Sequence, residues 1–164
     1  MSRIENLKEE DAALVEALEQ EIFGTPWSEH TVLDTIQSAE ASRKKQEETG
    51  KIQPFSHGAF GVWEGGELLG YLFSMAVAGE GELHRIAVSP KYRRRGIADA
   101  LMKAYFSWLV SQKADAATLE VRAGNTAAVA LYEKYGFKEE GRRKEYYRNP
   151  VEDALIFWCR QFPL

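Results

Sequence analysis

The chain of 164 residues has one cysteine and three histidines. A lone Cys159 excludes an internal disulfide and any cysteine-based zinc cluster. His30, His57 and His84 are scattered without ligand spacing, so no metal site is indicated. Positive charge is not in excess, since 21 Lys and Arg against 25 Asp and Glu leave a net charge of -4. That balance excludes a nucleic-acid binder whose affinity rests on a broad basic surface. Long apolar runs are also missing. The opening MSRIENLKEEDAAL has no apolar signal core and no stretch approaches a membrane span, so a cytoplasmic setting without a membrane partner is expected.

What is present is an ordinary globular composition, 45% hydrophobic and 12% aromatic, from which one domain covering 1–164 is expected. Leu14, Leu18 and Ile22 recur at every fourth position and predict an amphipathic helix from Glu9 to Ile22, with acidic residues on its other face. Ser28 is a good N-cap for a second helix, whose apolar face is Val32, Leu33 and Ile36. From 38 to 56 the pattern dissolves into a polar insertion, either a solvated helical extension or a mobile loop. Two β-rich runs around Gly65-Gly66 then read as a hairpin, and GELHRIAVS as a third strand. A long helix from Gly96 to about Lys113, the strand ATLEVR, a helix from Thr126 to Tyr135 and two last strands, GFKEEGR and DALIFWC, complete the chain. The fold class is α/β (α+β): a mixed, mostly antiparallel sheet with one parallel strand-helix-strand crossover and about four helices.

Such a crossover gathers the carboxyl ends of its strands and the following helix N-termini on one edge, where open α/β sheets bind ligands. That edge receives RIAV, the turn RRRGIA, Glu120 in TLEV, and the turn RAGN. A helix start leaves N–H groups unpaired and carries partial positive charge; a glycine permits close approach, and Arg93, Arg94 and Arg95 add full charge. The turn suits a pyrophosphate, and a solvated basic turn is the plain alternative. It lacks the GKS/T of a P-loop and the glycine spacing of a dinucleotide fingerprint.

RRRGIA, Arg93 to Ala98, resembles the R/Q-x-x-G-x-G/A signature of the GNAT superfamily of N-acetyltransferases, and NTAAVALYEKYGF, Asn125 to Phe137, is similar to the second half of its core. More narrowly, PWS, IAVSPKYRRRGIA, LEVRAGNTAAVALYEKYGF and GRRKEYYRNPVEDALI resemble the RimI-type bacterial N-α-acetyltransferases, which modify the N-terminal alanine of ribosomal protein S18. The likeness runs from Pro26 to Ile156 apart from the segment between Ser38 and His57. Ala98 stands where glycine is commoner, and LHRIAV has an arginine where the family often has asparagine or an acidic residue before the isoleucine.

The resemblance implies a GNAT-type domain using acetyl-CoA as co-substrate. It assigns Glu120 as general base, directly or through water, and Tyr132 as the acid that protonates the departing thiolate. Pairing with Arg122 or a strand-end cap is the alternative for Glu120, and helix packing for Tyr132. Ile86, Ala87 and Val88 would offer main-chain groups to the pantetheine arm, with one N–H, that of Val88, polarising the thioester carbonyl. Arg93 through Gly96, Ile97, Ala98 and Asp99 would hold the pyrophosphate. Asn125 would contact the cofactor as well as cap its helix. Trp27, Tyr146 and Tyr147 would border the acceptor, with Glu152 and Asp153 as acidic walls. The acceptor implied is a protein N-terminus, that of ribosomal protein S18, without direct nucleic-acid contact; oligomeric state is left open. A small-amine acetyltransferase and a non-catalytic acyl-CoA sensor are the competing readings.

Overall fold

A computed structural model describes residues 1–163. The chain opens with β1 (Arg3–Asn6), followed by α1 (Ala12–Ile22), α2 (Glu29–Thr49), β2 (Phe55–Glu64), β3 (Glu67–Val77) and β4 (Glu80–Val88). Then come α3 (Ile97–Ser111), β5 (Ala116–Arg122), α4 (Thr126–Lys134), β6 (Lys138–Tyr147) and β7 (Glu152–Cys159). The strands form one seven-stranded sheet in the order β1-β2-β3-β4-β5-β7-β6, in which β4 and β5 are the parallel pair. The four α-helices and the mixed sheet agree with the fold class expected from sequence.

Local chemistry explains most of these elements. Gly65 and Gly66 both have positive φ, 57° and 81°, as the two-residue turn joining β2 to β3 requires. The Ser28 hydroxyl accepts from the Thr31 N–H and starts α2. The polar segment after Ser38 continues α2 to Thr49, where Gly50 closes it in the left-handed conformation. Of the two alternatives for this segment, the structure takes the helical extension. β1 is a strand the sequence pattern does not announce: its four residues are all exposed, and it exists by pairing with β2, Arg3 opposite Trp63.

Two cores flank the sheet. On one face Leu101, Tyr105, Phe106 and Leu109 of α3 pack with Val62, Leu69 and Leu72. On the other, Val15 of α1 and Val32 and Ile36 of α2 pack with Tyr71 and Phe73. Of the expected α1 stripe, Leu18 and Ile22 pack against this second core, and Leu14 is the residue corrected. Leu14 is 47% exposed, and the inward face runs through Ala12, Val15 and Glu19. An acidic residue holds a core position because polar groups of β3 and β4 meet it there.

The feature that creates a site is a divergence. β4 pairs with β5 only over Glu80–Glu82, opposite Ala116–Thr118. The register between β3 and β4 then slips, Phe73 lying opposite Arg85 and Ser74 opposite Leu83, so His84 is an extra residue. Such a bulge bends its strand and sharpens the twist. Beyond it β4 keeps β3 as neighbour and leaves β5, which pairs on its other side with β7 from Ala117 to Arg122.

Candidate active site

The edge of β4 left free by this divergence is polar backbone. The Ser89 N–H donates to the Leu69 carbonyl at 2.8 Å, and Val88 lies opposite Gly70. In an antiparallel ladder the amide groups alternate in direction. Those of Val88 and Ile86 therefore point away from β3, toward the gap. A cleft of about 400 Å³ opens there, lined by Ile86, Ala87 and Val88 from β4, by Arg93, Arg94, Gly96, Ile97, Ala98 and Asp99, and by Asn125 and Leu131. The sequence-derived candidates from two distant segments thus share one cavity. Ile22 and Phe23 at the end of α1 add a wall that sequence reasoning did not name.

The floor of the cleft is the start of α3. Its first intrahelical bond is from Ala100 to the Gly96 carbonyl, and the N–H groups of Ile97, Ala98 and Asp99 donate to no protein group among the described residues. Gly96 has φ of 77°, and Arg94, with φ of 64°, also lies in the left-handed region. A Cβ added at Gly96 would meet nothing within 4 Å, so the glycine answers to backbone conformation and leaves the space before the helix open. Arg93 and Arg94 make no salt bridge among the described residues.

Arg95 is placed differently from expectation, and Asp99 keeps its place with its side chain engaged elsewhere. Arg95 leaves the cleft: its Nη2 meets Glu64 Oε2 at 2.7 Å and its guanidinium lies over the Tyr92 ring. Asp99 lines the cleft, but its carboxylate accepts from Lys134 Nζ at 2.7 Å and from the Tyr135 hydroxyl at 2.6 Å, tying α3 to α4. The Lys134 bond, then the Tyr135 bond, hold the Asp99 carboxyl below the usual range. An anion at a helix start also favours the dipole of its own helix, which makes Asp99 an anchor of the turn. Asn125 caps α4, its Oδ1 accepting from the Ala128 N–H at 3.2 Å.

Neither member of the expected catalytic pair, Glu120 and Tyr132, is among the residues that line this cleft. Glu120 is partly exposed on β5, and its Oε1 accepts from Arg143 Nε at 3.0 Å, while Oε2 accepts no hydrogen bond among the described residues. Its partner is Arg143; Arg122, the alternative from sequence, is taken by Glu152. Tyr132 is 7% exposed on the inner face of α4, packed edge-on against Phe137, and burial pushes its phenol well above the ordinary value. Burial first and the Glu120 carboxylate second raise the Tyr147 phenol.

Tyr147 meets Tyr146 edge to face at 5.2 Å, the Arg122 guanidinium lies over Tyr147, and Tyr146 is 54% exposed. Glu152 and Asp153 are not free walls. Glu152 accepts from Arg122 and from the Gly124 N–H, and Asp153 from Arg142 and the Glu145 N–H. The Glu152 carboxylate ties the start of β7 to the end of β5, and that of Asp153 ties it to β6. Trp27 stacks on Phe73 at 5.4 Å and sits against the core side of the α1–α2 loop, outside the cleft lining.

The acetyltransferase (GNAT) family model matches residues 13–137. The chain belongs to the acetyltransferase (GNAT) family. It is 32% identical over 158 residues to the ribosomal protein bS18-alanine N-acetyltransferase of Escherichia coli (strain K12), covering 95% of each chain. The crystal structure of the ribosomal-protein-S18-alanine N-acetyltransferase from Escherichia coli superposes with a TM-score of 0.80 at 29% identity, covering 100% of this chain and 97% of that one. The Ard1 structure from Thermoplasma volcanium shares the fold, with a TM-score of 0.82 at 22% identity, over 98% of each chain. The RimI-type likeness read from sequence is thereby supported over nearly the whole chain.

One cluster escaped sequence reasoning. Glu19 is fully buried and accepts from Arg85 Nη2 at 2.8 Å, from Arg85 Nε at 3.2 Å, from the Trp27 N–H at 2.7 Å and from the Tyr71 hydroxyl. The only available signal was Arg85, which departs from the family's usual residue before the isoleucine.

Proposed function

We propose that this acetyltransferase moves the acetyl group of acetyl-CoA to the α-amine of a protein N-terminus, and that the acceptor is the N-terminal alanine of ribosomal protein S18. The observation that carries the reading is the parting of β4 from β5 above the bare start of α3, with Arg93 and Arg94 at its mouth making no salt bridge among the described residues. Its combination of free N–H groups, open space at Gly96 and cationic side chains fits a pyrophosphate. The similarity to alanine N-acetyltransferases of bS18 supports the acceptor.

Acetyl-CoA, when bound, supplies the activated thioester. Ile97, Ala98 and Asp99 offer their main-chain N–H groups, and Arg93 and Arg94 their charge, to the two phosphates. The outward amides of Ile86 and Val88 accept an extended chain as another strand would be accepted, and the Val88 N–H is the donor for the acyl carbonyl. Glu120 takes the proton of the acceptor ammonium, directly or through water, using the carboxylate oxygen that Arg143 leaves free. Arg143 orients that carboxylate.

Tyr132 holds a proton at its hydroxyl for the departing sulfur. An ordinary phenol at about 10 is already a weaker acid than a thiol at about 8.5, and burial of Tyr132 widens the gap. Full transfer ahead of bond cleavage is therefore unfavourable, and the hydroxyl acts by hydrogen bonding as negative charge grows on sulfur.

The α-amine is also the easier nucleophile. Deprotonation at pH 7 costs about 1 kcal/mol for an α-amine and about 4.6 kcal/mol for a lysine. The deciding experiment is acetyl transfer to a peptide that begins with alanine and carries an internal lysine, with mass mapping of the product, alongside a panel of small amines. Modification at the N-terminus is expected. Modification chiefly at lysine, or turnover of small amines alone, overturns the reading.

A further inference from the structure

Among the described residues Glu19 is the one charged side chain that is buried. Burying a carboxylate is costly unless it is paired, and an apolar pair of similar volume often serves a core as well or better. Glu19 therefore calls for an account of what its pairing holds in place.

It holds the loop between α1 and α2. The fork of Arg85 meets both Glu19 oxygens, and the same Nη2 donates to the Thr25 carbonyl at 3.0 Å. The Arg85 guanidinium lies 3.8 Å from the centre of the Phe23 ring and 5.1 Å from that of Trp27. Glu19 in turn accepts from the Trp27 N–H. The loop is thus fastened at Phe23, Thr25 and Trp27 to one strand residue. The bulge at His84 makes this possible. Leu83 belongs to the α3 core while Arg85, two residues on, reaches the α1–α2 side, so the extra residue has exchanged the faces of the strand.

The placement along the cleft gives the device a role. Phe23 lines the cleft, and Arg85 immediately precedes Ile86 on its free strand edge. β4 runs from Arg85 through Val88 toward the arginine turn, so Phe23 stands at the end remote from the pyrophosphate site. That is the end where, on the proposed function, the acyl carbonyl meets the acceptor amine.

We infer that the Glu19–Arg85 pair is a positioning device for the acceptor: it fixes Phe23 and the α1–α2 loop as the wall against which the first residue of the acceptor is seated. The inference rests on the proposed N-terminal acetylation. Neither residue touches the reacting atoms, and both act through the loop.

The test uses Arg85→Met, Arg85→Lys and the double variant Glu19→Gln/Arg85→Met in the full chain. Arg85→Met leaves a buried carboxylate unpaired and is expected to lower the melting temperature. The double variant removes that orphan charge, so its melting temperature should return toward wild type while the loop stays unfastened. In the double variant, amides 23–27 should exchange faster, and kcat/KM for an alanine-first peptide should fall about tenfold or more, the scale of a misplaced reactant. Its affinity for CoA by calorimetry should stay within about twofold, since the pyrophosphate end is untouched. Arg85→Lys should be intermediate in loop protection and in kcat/KM.

Recovery of kcat/KM together with the melting temperature in the double variant overturns the inference, leaving the pair purely structural. Loss of CoA affinity as large as the loss in kcat/KM overturns it as well, because the wall would then serve the cofactor. If the double variant does not fold, Arg85→Lys carries the same comparison. Wild-type enzyme that acetylates only small amines refutes the proposed function instead; the loop exchange and kcat/KM for that amine still judge the clamp.

Discussion

Arg143 on β6 reaches across β7 to hold Glu120 on β5, its Nε lying 3.0 Å from the carboxylate. The strand order makes this contact: β7 is inserted between β5 and β6, and Gly141 and Glu120 both lie opposite Ile156, on its two sides. A carboxylate steadied by one guanidinium and free at its second oxygen can be oriented and still receive a proton.

Glu120→Gln keeps an acceptor for Arg143, and the pair is exposed enough that its loss should cost under about 1 kcal/mol of stability. The rate of peptide acetylation near neutral pH should fall by about 100-fold or more if Glu120 is the base. That defect should shrink as pH rises through the amine's own value near 8, because free amine then forms unaided. Initial rates of both proteins across this range provide the check, and a deficit constant with pH assigns Glu120 to substrate placement.

Tyr132→Phe removes a hydroxyl that makes no hydrogen bond among the described residues, so the melting temperature should change little. The expected effect is on kcat, a fall of about 100-fold or more, with acceptor KM nearly constant. Steady-state kinetics beside thermal unfolding decide it; an unchanged kcat returns Tyr132 to helix packing.

Gly96→Val places a β-branched residue at φ of 77°, where L side chains are strained by about 1–2 kcal/mol. It also puts methyl groups into the open space before α3. CoA affinity should drop tenfold or more, about 1.4 kcal/mol. Calorimetric titration with CoA measures this, with circular dichroism to verify the fold. Unchanged affinity removes the arginine-glycine turn from cofactor binding.

Asp99→Asn tests the tie between α3 and α4. The Asp99 carboxyl is depressed below its reference value of 3.8, chiefly by Lys134 and then by Tyr135. A depressed carboxyl contributes stability above its unfolded pKa and loses it as pH falls through the lower folded value. The variant should therefore melt below wild type near pH 7, and the gap should close as the pH is taken below the reference value of 3.8. Melting temperatures of both proteins across that range give the answer, and a gap independent of pH refutes the charge-based account.

The sequence by itself determined the periodic helices, the Gly65-Gly66 hairpin, the Ser28 cap and the arginine-glycine turn, because each is local: spacing, a cap or a φ requirement acts within a few residues. It also determined the family likeness, which lies in short contiguous motifs such as RRRGIA and LYEKYGF. Tertiary structure decided everything that depends on a partner distant in the chain. β1 is a strand only because β2 lies beside it, and Glu19 holds a buried position only because it finds Arg85, 66 residues away. Arg95 was drawn from its two neighbours by Glu64, and Glu152 and Asp153 were consumed by Arg122 and Arg142. A charge read in sequence is only a charge; whether it meets a ligand or another side chain depends on which oppositely charged group the fold brings within about 4 Å, and pattern along the chain carries no record of that distance.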